Sequence, residues 1–421
     1  MIFSAREGRV FVEKDMKIST DRKKIKELLT RAVDEVIVSD HLEKDLLSGA
    51  RLRVKFGIDP TAPDIHLGHT VPLRKLQAFQ ELGHQAVLII GDFTATIGDP
   101  AGRTEARKQL SEGEVEANMK HYLDQAKKVL DLDRVEIHYN SEWFKKADLM
   151  TMYELMSKVS VQRALERDDF QKRMKENREI AVLEVVYPLL QGYDSVMVNA
   201  SVEIGGRDQK FNLLMGRRVQ RAYGMTEQDI MTLWLIEGTD GTRKMSKSFG
   251  NYIALTEEPA SMYGKIMSIP DDLIAKYFSA LTTVPSDEID RMSRLSHAKS
   301  SGWNPREAKA RLAREIATMY HSAREALEAE AEFERIFRKK EAPTDMPEVK
   351  VKKAKLSLIE LLLEVAFAPS KSEARRVIAQ GGVKVNGAVV KDPDAVIAMS
   401  KDGVVLQKGK RHFVRILPAH K

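Results

Sequence analysis

Two short segments of this 421-residue chain gather groups suited to handling phosphate. His66-Leu67-Gly68-His69 sets two imidazoles three residues apart beside a glycine. Lys244-Met245-Ser246-Lys247-Ser248 sets two ammonium groups on a stretch with Gly238 and Gly250 at its ends, which lets the loop move. At a helix start, positions i and i+3 share a face, and the unpaired N–H groups and dipole there favour an anion. Imidazoles so placed donate hydrogen bonds to charge building on a five-coordinate phosphorus. Gly68 leaves bare backbone against which a flat base can rest. Lysine is a compact charge on a flexible stem, able to follow a leaving polyphosphate and to engage only as charge develops. Each segment alone also has a plain reading: two surface histidines or half a metal site, and a lysine-serine surface loop. Together they predict a nucleoside-triphosphate site with His66, His69, Lys244 and Lys247 as its catalytic groups.

A third set points to what else such a site holds. Tyr187, Gln191 and Asp194 fall at i, i+4 and i+7, on one helical face, with Pro188 expected to start or kink that helix. A buried carboxylate there is an acceptor for a phenol hydroxyl, and it leaves an analogue without the hydroxyl facing an unsatisfied charge. The competing reading is an ordinary packing tyrosine and a surface aspartate.

The elements that position these groups alternate. Arg51 to Asp59 is a strand, stopped by Pro60 and Pro63, and a helix follows from about His66 to Leu82. Gln85 to Gly91 is an apolar run typical of a strand buried on both faces of a parallel sheet. Ser111 and Glu114 form a capping box for a helix to about Leu130, and Arg134 to Tyr139 is a third strand. Residues 144–200 read as a helical insertion. A strand from Val202, a helix from Asp208 and a strand from Ile230 restore the alternation, so the lysine loop leaves the carboxyl end of a strand. This is an α/β doubly wound parallel sheet, Rossmann-like, over residues 1–250. An α-helical domain is expected over 251–340, a linker over 341–355 and a small α+β domain over 356–421. Residues 23–50 are expected to be amphipathic helix.

Composition bounds the rest. From Lys350 to Lys421 there are 15 Lys/Arg against 6 Asp/Glu, leaving 53 against 56 before it, so the basic excess sits in the tail. A polyanion partner for that module, or a merely solvated tail, both fit. Within it, Ser370 and Glu373 cap a helix carrying Lys371, Arg375 and Arg376 on one side. Val383 to Val390 reads as a hairpin with an Asn-Gly turn. With no cysteine in the chain, disulfides and cysteine-held zinc are excluded. No apolar run approaches the roughly 18 residues of a membrane span, and Met1 to Arg22 lacks a secretory apolar block. A cytoplasmic protein is expected.

In this order, HLGH and KMSKS form the signature pair of the class I aminoacyl-tRNA synthetases. Phe56-Gly-Ile-Asp-Pro-Thr-Ala-Pro-Asp-Ile-His-Leu-Gly-His69, Ile97-Gly-Asp-Pro-Ala-Gly102 and Ile204-Gly-Gly-Arg-Asp-Gln209 resemble the bacterial tyrosyl-tRNA synthetases. The similarity covers nearly the whole chain, and the tail resembles the RNA-binding fold of the ribosomal-protein S-four type. The resemblance implies activation of L-tyrosine with ATP, as its Mg²⁺ complex and with no metal held by the protein, followed by transfer to tRNA. It implies that Asp194 reads the substrate hydroxyl, that Tyr187, Gln191 and Asp99 hold the ammonium, and that Gln209 lies by the attacking carboxylate. Asp59, Thr61, His66, Gly68 and His69, with Gly206 and Asp208 at the ribose and Lys244, Lys247 and Ser248 on the loop, would hold ATP. Arg103 and Arg107 would face tRNA or pyrophosphate, and Lys371, Arg375 and Arg376 would face tRNA. The insertion resembles the family's dimer interface, so a homodimer is implied, with neither DNA nor membrane as partner. Two departures stand out: Lys55 occupies the place of a family tyrosine that also contacts the phenol, and Pro72 replaces a small polar residue. A tryptophanyl-type synthetase and a non-catalytic RNA-binding paralogue are the alternatives.

Overall fold

In the computed structural model, residues 17–101, 109–297, 303–338, 346–353, 355–400, 403–409 and 412–419 are described. Six strands form one sheet: β1 (Val33–Ile37), β2 (Arg53–Ile58), β3 (Gln85–Ile90), β4 (Val135–Tyr139), β5 (Val202–Gly206) and β6 (Asp229–Leu233), in the order β1-β6-β5-β2-β3-β4. All neighbours pair parallel except β1, which runs antiparallel to β6 at the edge. Every residue of β3 and β6 is buried, as expected for central strands covered on both faces. The chain winds outward from β2 to β3 and β4, then returns to the other side of β2 with β5 and β6. The topological switch therefore lies between β2 and β5, where open α/β sheets bind ligands beyond the carboxyl ends.

Three helices frame that crevice: α1 (Leu67–Glu81), α2 (Val182–Met197) and α3 (Lys210–Ala222). Three expectations need correction. Residues 23–50 are not continuous helix. Two short helices, Arg22–Thr30 and Ser39–Ser48, flank β1, because Ala32 turns at φ 54° and the β-branched Val33, Val36 and Ile37 find a free edge on β6. Of the two roles expected of Pro188, to start or to kink the helix, the first is excluded. Pro188 lies inside the helix, which begins at Val182 and is buried along much of its length. The Ser111–Glu114 capping box forms as expected, with Glu114 N donating to Ser111 Oγ at 3.3 Å, but its helix ends at Met119 and a second runs from Tyr122 to Ala126.

By contact, the chain divides into two compact units, residues 1–323 and 324–421. Helices from Pro259 to Tyr320 belong to the first. They are tied to its core by bonds such as Arg31 Nε to the Ser279 carbonyl at 2.8 Å and Lys276 to Glu237 at 2.8 Å. The second unit has a five-stranded sheet and a two-stranded one against helices α4 (Leu358–Glu364) and α5 (Lys371–Ala379). Leu358, Leu361, Leu362, Ile378, Leu406 and Ile416 fill its core. Asn386 and Gly387, at φ 49° and 84°, make the hairpin turn between Val383–Val385 and Ala388–Val389.

Candidate active site

The histidine and lysine segments meet because the backbone sews them together. After the lysine loop the chain runs back alongside the start of α1: Leu67 N donates to the Ile253 carbonyl at 2.9 Å, and Leu255 N to the Ile65 carbonyl at 2.9 Å. Asn251, nearly fully buried, braces the loop from within. Its Oδ1 accepts Ser246 N at 2.8 Å, and its Nδ2 donates to the Arg243 and Lys244 carbonyls at 3.2 Å. Gly238 is required here, since a Cβ would lie 2.3 Å from Asn251. Met245 is buried against the backbone at Gly68.

A cleft of about 690 Å³ results. It is lined by all fifteen residues named above for ATP and the amino acid: Asp59, Thr61, His66, Gly68, His69, Asp99, Tyr187, Gln191, Asp194, Gly206, Asp208, Gln209, Lys244, Lys247 and Ser248. Lys371, Arg375 and Arg376 belong to the second unit, where all three are exposed on α5; Arg376 pairs with Glu373 at 2.8 Å. Arg103 and Arg107 lie outside the described residues.

His66 is not inside the helix but caps it, with extended backbone at φ −113°, while His69 is the third helical residue. Their rings still stack, with centroids 3.7 Å apart. The His66 backbone N–H donates to His69 Nδ1 at 3.3 Å, which leaves the proton of a neutral His69 ring on Nε2 as a donor. Burial pushes His69 down to about 4, with Lys247 and Lys244 adding to the effect. Burial, then His69 and Lys247, hold His66 well below the ordinary histidine range. Both rings are therefore neutral donors at pH 7, and the positive charge of the site comes from the lysines. Each lysine is paired: Lys244 Nζ with Asp208 Oδ2 at 2.7 Å, and Lys247 Nζ with Asp64 Oδ2 at 2.8 Å.

At the other end the polar groups bond to one another. Tyr187 donates to Asp59 Oδ2 at 2.8 Å, and Thr94 Oγ1 donates to Asp59 Oδ1 at 2.8 Å, so the two residues share one carboxylate. Gly91 permits this, because a Cβ there would sit 2.0 Å from Asp59 Oδ1. Burial and Asp59 hold the Tyr187 phenol well above its ordinary range. Asp99 accepts from Gln209 Nε2, from Asn212 Nδ2 at 3.2 Å and from Ala101 N at 2.9 Å. Asp194 is 4% exposed and accepts from Trp143 Nε1 at 2.9 Å and Asn140 Nδ2 at 3.4 Å. Burial pushes its carboxyl up to about 7 against the pull of Lys55, Trp143 and Asn140. A carboxylate of that kind can take a hydroxyl donor from a ligand.

Sequence reasoning missed Asp64, Thr94, Asn140 and Trp143. Asn140 had a usable signal, since it directly follows the carboxyl end of β4. Asp64, Thr94 and Trp143 had none in spacing or composition.

Residues 47–338 match the model of the family described as tRNA synthetases class I (W and Y), and residues 339–416 that of the tyrosine–tRNA ligase SYY-like C-terminal domain. The chain is 50% identical to the tyrosine–tRNA ligase of Moorella thermoacetica over 92% of its own length and 94% of that protein's. It is 48% identical to that of Thermotoga maritima, over 92% and 96%. In fold it resembles a C-terminally truncated mitochondrial tyrosyl-tRNA synthetase of Aspergillus nidulans, with a TM-score of 0.63 at 24% identity over 75% of this chain and 94% of that one. It also resembles the Archaeoglobus fulgidus tyrosyl-tRNA synthetase complexed with L-tyrosine, at 0.59 and 21% over 72% and 98%.

Proposed function

The chain belongs to the class I tRNA synthetases of the tryptophan and tyrosine kind, and from that membership we propose that it is a tyrosine–tRNA ligase. The substrate carboxylate attacks the α-phosphorus of ATP, supplied as its Mg²⁺ complex, and the bond to the bridging oxygen of the β-phosphate breaks. Tyrosyl-adenylate and pyrophosphate form. A ribose hydroxyl at the tRNA 3′ end then attacks the mixed anhydride, its proton is lost and AMP leaves. Activation needs no general base, because the nucleophile is already anionic.

The observation that carries the choice of tyrosine is Asp194. Its buried carboxylate, among the groups that line the cleft, suits a phenol donor and would leave a phenylalanine facing an unsatisfied charge. Tyr187, Gln191 and Asp99 hold the ammonium, with Gln209 beside the attacking carboxylate. Asp59, Thr61, Gly68, Gly206, Asp208 and Ser248 seat the nucleotide. The neutral His66 and His69 donate to the phosphate in the transition state, and Lys244 and Lys247 follow the charge onto pyrophosphate.

The protein acts as a cytoplasmic homodimer through the 144–200 insertion. Leu149, Met150, Tyr153, Val161 and Val182 each leave more than half of their surface exposed there, which supports that reading. No helix among the described residues is long and apolar enough to cross a membrane. The helices of 251–340 and the basic module of 356–421, with Lys371, Arg375, Arg376, Arg103 and Arg107, hold the tRNA beyond its acceptor end. The test is ATP–pyrophosphate exchange with each amino acid in turn. Exchange with tyrosine is expected; exchange with tryptophan alone, or with none, overturns the proposal.

A further inference from the structure

Directly behind the amino-acid pocket lies a pair of charges that no step above uses. Lys55 on β2 and Glu203 on β5 are register partners across parallel strands. Their side chains are 0% and 1% exposed, with Nζ 2.9 Å from Oε1. Lys55 Nζ also donates to the Gln191 carbonyl and to Ser195 Oγ, both at 2.8 Å, so its three N–H groups are all engaged. Glu203 accepts from Gln191 Nε2 at 3.1 Å, from Ser195 Oγ at 3.2 Å and from Gln228 Nε2. Such a pair gives little net stability over apolar residues of equal volume. Its position is informative: it grips the turn of α2 from Gln191 to Ser195, which carries Asp194. Lys55 does not line the cleft, so it acts through other groups and does not itself meet the substrate.

We propose that Lys55, anchored by Glu203, is the positioning residue that sets the pocket's preference for a phenol, by fixing the 191–195 turn and supplying the positive charge that lets Asp194 work as a carboxylate. The proposal rests on the reading of this pocket as the tyrosine site. Several groups face Asp194. Trp143 and Asn140 bond to it uncharged, Lys55 favours its ionised form and Glu203 opposes it. Tyr187 on the same helix face is held as the neutral phenol. Beyond Trp143, with centroids 5.8 Å apart, is His138, flanked by Glu136 and Glu142. Against burial, which pushes the Asp194 carboxyl up to about 7, the Lys55 ammonium is the strongest opposing influence and outweighs the effect of Glu203. Removing both charges should move Asp194 further up; removing Glu203 alone should move it down.

The test uses the full-length enzyme and reads tyrosine- and phenylalanine-dependent ATP–pyrophosphate exchange from pH 5.5 to 9. Wild type should show kcat/KM for tyrosine rising through about pH 7. In Lys55→Met/Glu203→Gln, which strands no charge, that midpoint should move up by about one pH unit, with a roughly fivefold drop in the tyrosine-to-phenylalanine ratio at pH 7. In Glu203→Gln the midpoint should move down. A second neutral pair, Lys55→Gln/Glu203→Gln, should show the same upward shift as the first and keeps the proposal testable where Lys55→Met/Glu203→Gln or the single variant folds poorly. Unchanged midpoints and ratios, or a uniform loss of kcat in the variants, overturn the role given to Lys55. Absence of tyrosine-dependent exchange in wild type overturns the ligase reading instead.

Discussion

At the Asp194 end of the cleft the polar groups are buried and bonded to one another, whereas at the lysine end they are partly exposed and bonded to carboxylates. Asp194 and Tyr187 are 4% and 6% exposed, and their partners, Asn140 and Trp143 for the one and Asp59 for the other, come from the segments after β4 and β2. The side chains of Lys244 and Lys247 are 38% and 23% exposed, on a loop whose backbone is braced but whose ammonium groups stand on long stems. The contrast follows from what each end must do. Telling one side chain from another by a single hydroxyl requires donors and acceptors fixed in a dry pocket, where a missing partner is costly. Stabilising charge that appears during a reaction requires groups that bind late.

The most direct way to break this contrast is Lys247→Ala. Loss of a cation that acts on the departing pyrophosphate should lower kcat for tyrosine activation by about 10²-fold or more while the KM for tyrosine stays near wild type. Pre-steady-state formation of the adenylate checks it. A change confined to KM would mean that the lysine serves the ground state, and the lysine end would then resemble the pocket.

A smaller effect, of about ten- to a hundredfold in kcat/KM for tyrosine, is expected for Asp194→Asn. An amide there turns its own donors toward Trp143 Nε1 or Asn140 Nδ2 and loses the charge that the phenol meets. The ATP constants should be unaffected, and steady-state kinetics with each substrate varied will separate the two. Equal losses for tyrosine and ATP would show that the two ends are not independent.

The pH dependence should divide the ends again, by about tenfold per pH unit at most. Tyrosine must find Asp194 ionised, so its KM should rise as pH falls below about 7. The KM for ATP should stay flat down to about pH 5, since His69 gains a proton only near 4 and His66 also lies well below its ordinary range. For stability the signs are opposite. Asp194 has a folded value above its unfolded 3.8, so its contribution is full below that value and lost as pH rises through about 7. The histidines lie below their unfolded 6.5, so theirs is full above it and lost as pH falls toward about 4. An ATP KM that falls sharply between pH 7 and 6 would mean charged imidazoles drawing in the phosphates and would contradict the neutral rings assigned above.

The same contrast explains how much could be read in advance. The phosphate end was legible because its chemistry is carried by short contiguous stretches, 66–69 and 244–248, whose residue types and glycines are informative side by side. Gln191 and Asp194 were legible because three and four residues make a helical face. Their support was not. Lys55 and Glu203 are 148 positions apart and become neighbours only through the crossover that sets β5 beside β2, and Trp143 reaches Asp194 from a four-residue helix, Ser141–Phe144. The alternation that signals the parallel sheet survives in sequence because each buried strand is an apolar run. The edge strand β1 did not show, being five residues long, half exposed and set between two helices.

The smallest effect concerns Asp64, and its sign is the most telling. Asp64 precedes the first histidine by two residues and accepts both Lys247 Nζ at 2.8 Å and Thr256 Oγ1 at 3.3 Å. A partly exposed ion pair of this kind is worth no more than about 1 kcal/mol. Yet Lys247 must leave it to follow charge onto the pyrophosphate, so the pair competes with the transition state. Asp64→Asn should therefore raise kcat by about two- to fivefold, with the KM for ATP nearly unchanged. A fall in kcat would mean instead that Asp64 holds the ammonium where the reaction needs it. The lysine end would then be fixed in advance like the pocket, and selectivity and catalysis would share one building principle.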